Sequence, residues 1–203
     1  LMHQEFQQFM ANQPQFNHRQ KRFKFVSDIN KENNMTSLTK ICLHWTGGAD
    51  KPCEQNLNCY HFLFDKDGKE YKGTYTPQDN INCYDGKYAA HCGGGNTGCI
   101  GVSCCGMYGF NLKDKKTKYP LTQKQVEAMC SKVAKLCSLY GITVSEKTVF
   151  THYEFGQSHP KTSSYGKIDF TYLPYLPNLS KERIGDYLRN KIQWYQIQQK
   201  KGK

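Results

Sequence analysis

Apolar positions along this chain change their period several times, and each change marks an element. From Ile41 to Gly48, Ile41 and Leu43 alternate with Cys42 and His44 before a Gly47-Gly48 break, the pattern of a short buried strand opening into a loop. Val149-Phe150-Thr151 is a second β-prone run, and it ends at His152. Tyr60 to Phe64 predicts a strand, Asp67-Gly68 a tight turn, and Glu70-Tyr71-Lys72 the returning strand. Cys99 to Cys104 reads as another buried strand. The period then lengthens. Val126, Met129, Cys130, Val133, Leu136, Cys137 and Tyr140 form one helical stripe, opened by a Thr122/Gln125 capping box and stopped by Gly141. After Pro174 and Pro177, Ser180 is placed to cap a last helix with Ile184, Tyr187, Leu188, Ile192 and Tyr195 on one side.

Strands alternating with helices predict an α/β fold: one domain with a central mixed β-sheet flanked by helices, followed by a basic amphipathic helix. The expected organisation is a polar extension over 1–39, the domain over 40–178 and the basic helix over 179–203. The extension is rich in Gln and Asn, basic at His18, Arg19, Lys21 and Arg22, and has room for one short helix. His3 and His18 are expected in solvent. Residues 80–96, rich in Gly, Asn and Cys, suit a loop lining a cleft. Within it, Cys92-Gly93-Gly94-Gly95 lacks the strand–Gly–Lys–helix arrangement of a phosphate loop and reads as a flexible stretch.

Composition narrows the partners. The 203 residues suit a single domain, and the formal net charge of +11 favours an anionic one: nucleic acid, anionic lipid or a cell-wall polymer. The stretch 179–203 carries seven Lys/Arg against Glu182 and Asp186, close to half of that net charge. With the basic residues concentrated there and no interleaved aromatic stacking motif, nucleic acid is not expected as a partner. No 18-residue apolar run exists, and His3 to Gln8 has no secretory apolar core, so neither a membrane span nor a signal peptide is expected. Ten cysteines occur without any Cys-x-x-Cys, many within strand or helix patterns; mostly reduced, core-packing thiols are expected. Cys53 and Cys59 are spaced for a local bridge in oxidising surroundings.

A catalytic metal needs ligands from separate segments and an open coordination position. His44 and His152 both end apolar runs and are candidate ligands; the loop after His152 offers Asp169 as the third. Lys167, two positions earlier in an extended segment, projects to the same side and is placed to stabilise negative charge developing on an attacked carbonyl. Glu154, two residues past His152, is a candidate acid/base group, or a partner that fixes a ligand. His61, next to Tyr60 on the expected strand, should face away from the cleft as a buried, hydrogen-bonded histidine.

Five segments in order, Leu43-His44-Trp45-Thr46, Tyr60-His61-Phe62-Leu63-Phe64 before Asp67-Gly68, His91 through Asn96 to Ile100-Gly101-Val102, Thr151-His152-Tyr153-Glu154 and Lys167-Ile168-Asp169, resemble the zinc-dependent N-acetylmuramoyl-L-alanine amidases of type 2. That family includes amidase-type phage lysozymes and peptidoglycan recognition proteins. The resemblance implies that His44, His152 and Asp169 hold Zn2+, that Lys167 stabilises the oxyanion, and that Tyr60 borders the attacking water. It implies that His91 and Asn96 line the substrate groove without ligating metal. Phe170-Thr171 stands where many members have Pro-Gly, which makes His159 a rival third ligand. The implied activity is hydrolysis of the amide between N-acetylmuramic acid and L-alanine of peptidoglycan, by a monomer acting in the bacterial wall or periplasm. A phage endolysin, made in the host cytoplasm and released, fits best. The basic helix is expected to pack its apolar face on the domain, the alternative being a contact with anionic membrane or lipopolysaccharide. The alternative is a non-catalytic peptidoglycan-recognition module.

Overall fold

A computed structural model describes residues 2–12 and 37–202. The expectations for His18, Arg19, Lys21 and Arg22, and for the His3 side chain, lie outside the described residues. In chain order the elements are α1 (Met2–Ala11), β1 (Lys40–Trp45), α2 (Glu54–Cys59), β2 (Phe62–Phe64), β3 (Glu70–Lys72), β4 (Cys99–Cys104), α3 (Gln123–Tyr140), β5 (Val149–Thr151), α4 (His152–Ser158) and α5 (Lys181–Lys201). The described strands form one mixed sheet in the order β3-β2-β4-β1-β5, in which only the β2–β3 pair is antiparallel.

Alternation along the central strands gives the sheet two different faces. Ile41, Leu43 and Trp45 of β1 join Ile100, Val102 and Cys104 of β4 in the main core under α3 and α5. Cys42 and His44 point the other way, beside Gly101 and Ser103 in register, toward α4 and the 80–96 loop. The expected stripe of α3 is the one that is buried, its capping box forms at Thr122 and Gln125, and Gly141 ends it with φ 67°. Gln125 also ties the sheet together, its Nε2 donating to Phe64 O at 2.7 Å and Cys105 O at 2.8 Å. That explains a fully buried amide at this position: both donors are satisfied.

Helix α5 packs its apolar side, with Ile184, Leu188 and Ile192 fully buried, against α3 and the sheet. The apolar face that insertion into a membrane would need is therefore used inside the domain. Lys191, also buried, pairs with Glu127 and lies 3.7 Å from the centre of the Phe6 ring. Phe6, 2% exposed, also packs edge-on to Tyr187 and Trp194. The expected surface extension thus anchors α1 on α5 through one aromatic. All ten cysteines are free thiols, including Cys53 and Cys59.

Two local expectations need correction. His152 is the first residue of α4 and not the end of a strand: Thr151 accepts from Glu154 N at 3.1 Å while the Glu154 carboxylate accepts from Thr151 N at 2.8 Å, and this box starts a helix there. The strand at Tyr60 begins only at Phe62, because Tyr60 caps α2 by donating its N–H to Asn56 O. Strand alternation does not extend back to His61, whose ring turns to the site side of the sheet and lies 5.6 Å from that of His91. It is buried and hydrogen-bonded as expected, accepting from Gly101 N at 2.8 Å and contacting Asn80 Oδ1 at 2.9 Å.

Candidate metal centre

Three segments deliver side chains to one point on the site face of the sheet. His44 comes from the end of β1, His152 from the first turn of α4, and Asp169 from the turn after α4. Asp169 Oδ2 lies 3.2 Å from His44 Nδ1 and 3.4 Å from His152 Nδ1. The three ligand atoms lie within 4.8 Å of one another, and all three residues are buried. Phe170 assists this delivery. It takes a left-handed φ of 63° and is buried 6.0 Å from Trp45, so the chain sends Asp169 toward the histidines and Phe170 into the core. The left-handed conformation costs a non-glycine residue about 1–2 kcal/mol, which burial of the phenyl ring, worth about 1.5–3 kcal/mol, offsets. His159, the rival ligand, lies elsewhere: it is exposed, stacks on Phe155 at 4.0 Å and contacts Phe155 O through Nδ1.

The electrostatics are those of a cation site filled by a proton. Burial pushes the Asp169 carboxyl up, but hydrogen bonds from His152 and His44 outweigh it and hold the group down at about 2. Burial disfavours charge on His152 too, yet Asp169 and Cys92 together raise it to about 9. His44, more deeply enclosed, is pushed down by burial, against which its hydrogen bond with Asp169 works. A tetrahedral metal with donors at ~2.0–2.2 Å needs them about 3.3–3.5 Å apart, and two imidazoles with a carboxylate make a donor set suited to zinc. The two separations from Asp169 Oδ2, 3.2 and 3.4 Å, fit. A second close group, Cys42, His44 and His91, is poorer, because burial pushes the Cys42 thiol well up and leaves it uncharged.

The remaining expected residues fall at different distances from this centre. The Tyr60 ring lies 5.1 Å from that of His44; burial first, then the charge of Asp169, push its phenol up, so it remains a donor. Lys167 is exposed and forms no side-chain ion pair or hydrogen bond among the described residues. His91 is buried behind His44, with Nδ1 3.1 Å from His44 Nε2 and Nε2 3.1 Å from Cys99 O, so both ring nitrogens are engaged internally. Asn96 organises the loop from within, its Oδ1 accepting from His91 N at 3.0 Å and Cys92 N at 2.8 Å. Glu154 faces away from the cluster and binds Arg189 with both carboxylate oxygens.

Sequence reasoning missed Ser164 and Asn80. Ser164 Oγ lies 2.9 Å from His152 Nε2, and Asn80 holds the 89–96 loop through Ala89 and Asn96. Ser164 sits in an irregular segment and Asn80 in a short 3-10 turn, Pro77–Ile81, and neither gives a periodic signal. The Gly93-Gly94-Gly95 stretch, expected to be merely flexible, is instead where this loop meets residues 155–164. A Cβ on Gly93 would lie 1.8 Å from Ser163 Oγ, and one on Gly95 would lie 2.6 Å from the Phe155 ring.

Comparison with known proteins adds a family. A family model described as N-acetylmuramoyl-L-alanine amidase matches residues 34–166, a stretch that holds His44, Tyr60, His91, Asn96 and His152 and ends before Lys167 and Asp169. Among solved structures, the N-acetylmuramoyl-L-alanine amidase LysC from Clostridium intestinale URNW is similar at 17% identity and a TM-score of 0.44, over 83% of this chain and 94% of that one. No curated protein matches the sequence.

Proposed function

Since the chain belongs to the N-acetylmuramoyl-L-alanine amidase family, we propose that its peptidoglycan amide hydrolysis is zinc-dependent and runs at the His44–His152–Asp169 centre. The carrying observation is the convergence of His44 Nδ1 and His152 Nδ1 on Asp169 Oδ2, 3.2 and 3.4 Å away, from segments far apart in sequence. His44, His152 and Asp169 would hold the ion. When bound, zinc supplies Lewis acidity that polarises the scissile carbonyl and makes water nucleophilic near pH 7.

The chain's own residues do the rest. Tyr60, a protonated phenol beside His44, orients the attacking water by hydrogen bonding; a phenol pushed further up in pKa is too weak an acid to ionise for base catalysis. Lys167, exposed and without an ion-pair partner among the described residues, swings toward the oxyanion when substrate fills the cleft. His91 and Asn96 shape the groove from behind, one against His44 and the other holding the backbone of residues 91–92. The net charge of +11 favours an anionic wall polymer, and action on the bacterial wall as an endolysin fits a chain whose described helices are all too short or too polar to cross a membrane. The test is product analysis on purified peptidoglycan. New N-terminal alanine without new reducing sugar ends supports the reading, and reducing ends or intact polymer refute it.

A further inference from the structure

We infer that His91 and Ser164 are positioning residues that aim the Nδ1 lone pairs of His44 and His152 at the ligand point, each through a hydrogen-bond relay ending on a backbone carbonyl. This rests on the zinc reading of the same centre.

The direction of each relay follows from its last acceptor. A carbonyl oxygen only accepts, so His91 Nε2, 3.1 Å from Cys99 O, carries a proton. A neutral imidazole with its proton on Nε2 carries its lone pair on Nδ1, so the His91 Nδ1 is an acceptor. His44 Nε2, 3.1 Å from that Nδ1, is therefore the donor. That leaves Nδ1, here hydrogen-bonded to Asp169 Oδ2 at 3.2 Å, as the atom His44 would turn to a metal.

The second relay has the same logic. Ser164 Oγ donates its single proton to Gly93 O at 2.8 Å, so it offers a lone pair to His152 Nε2 at 2.9 Å. His152 Nε2 then holds a proton whatever occupies the ligand point, and Nδ1 is the atom left for the metal. Both relays depend on close backbone approach. A Cβ on Gly101 would come within 2.5 Å of the His91 ring, and one on Gly93 would meet Ser163. Fixing the tautomer through the second nitrogen is the means by which outer partners raise a histidine's basicity and orientation toward metal.

The test uses zinc-loaded protein with 15N-labelled histidine. Wild type is expected to show exchange-protected Nε2–H signals for His44 and His152 beside those of His61 and His91, and the first two are the ones the variants report on. Ser164→Ala should lose the His152 signal and keep that of His44, His91→Phe should do the reverse, and Ser164→Thr, which retains a hydroxyl, should keep both. Zinc affinity, read by competition with a chromogenic chelator, should fall about 10–100-fold in the first two variants and little in the third. A general loss of folding would remove both signals together, which tells it apart from a relay effect. Wild type that takes up no zinc overturns the metal reading and this inference with it. Wild type that takes up zinc while Ser164→Ala and His91→Phe keep both signals and full affinity overturns this inference alone.

Discussion

Changing Glu154 to Gln separates two roles that a carboxylate two residues past His152 could have. Glu154 Oε1 accepts from Arg189 Nη2 at 2.9 Å, while Oε2 accepts from Arg189 Nη1 at 3.1 Å and from Thr151 N at 2.8 Å. Gly185 lets α5 come this close, since a Cβ there would lie 1.9 Å from Glu154 Oε1. The Arg189 side chain is 8% exposed and that of Glu154 29%. Breaking a buried ion pair costs about 3–5 kcal/mol. Here Asp186 still holds Arg189 at 2.8 Å and Val149 O accepts from it at 3.1 Å, and Glu154 is partly wet. The expected loss is about 1–3 kcal/mol, or about 3–10 °C in Tm at this chain length. Thermal unfolding reads the first quantity; peptidoglycan hydrolysis and zinc titration, both well below Tm, read the rest. Turnover should stay within about twofold of wild type, whereas loss of a general acid or base removes about 10²–10⁴. A fall in rate of that size with unchanged Tm would refute the structural role.

Other consequences can be checked directly. Lys167→Ala should retain bound zinc and lose about 10²–10³ in single-turnover rate; near-normal turnover would show that its exposed ammonium never reaches the reacting carbonyl. His152 is raised to about 9 in the metal-free protein, so zinc must displace its proton at any lower pH. Affinity should therefore climb with pH up to about 9, with about one proton released per ion, seen by calorimetry in buffers of different ionisation enthalpy. No buffer dependence would contradict the pairing with Asp169. By the same linkage, the stability that the His152–Asp169 pair gives the metal-free fold is full below the ordinary value of 6.5 and is lost as pH rises through about 9. Leu188→Ala in α5 should cost about 2–5 kcal/mol in chemical denaturation, and an unchanged midpoint would mean that the helix does not pack on α3.

What could be read from the residues alone follows periodicity. The β1 alternation placed His44 on the face opposite Ile41 and Leu43, and the α3 stripe and its caps were legible because they repeat over five turns. Asp169 was legible as a ligand candidate, but its approach depends on a left-handed Phe170, a conformation that a phenylalanine does not advertise. In sequence His152 reads as a strand end because the capping box that makes it a helix start, Thr151 to Glu154, begins on the last residue of the β-prone run. Contacts such as His91 with His44 and Ser164 with His152 join irregular loops to β1 and α4 across the fold, where no spacing rule applies. The glycines at 93–95 carried their meaning in the neighbours they touch, which the sequence does not display.

Metal analysis of purified protein, by variant, addresses the centre most directly. One zinc per wild-type chain is expected, near zero for His44→Ala, His152→Ala and Asp169→Ala, and one for His159→Ala, with release of stem peptides following the metal. A full equivalent retained in the first three variants, or lost in His159→Ala, would show that the ion sits elsewhere.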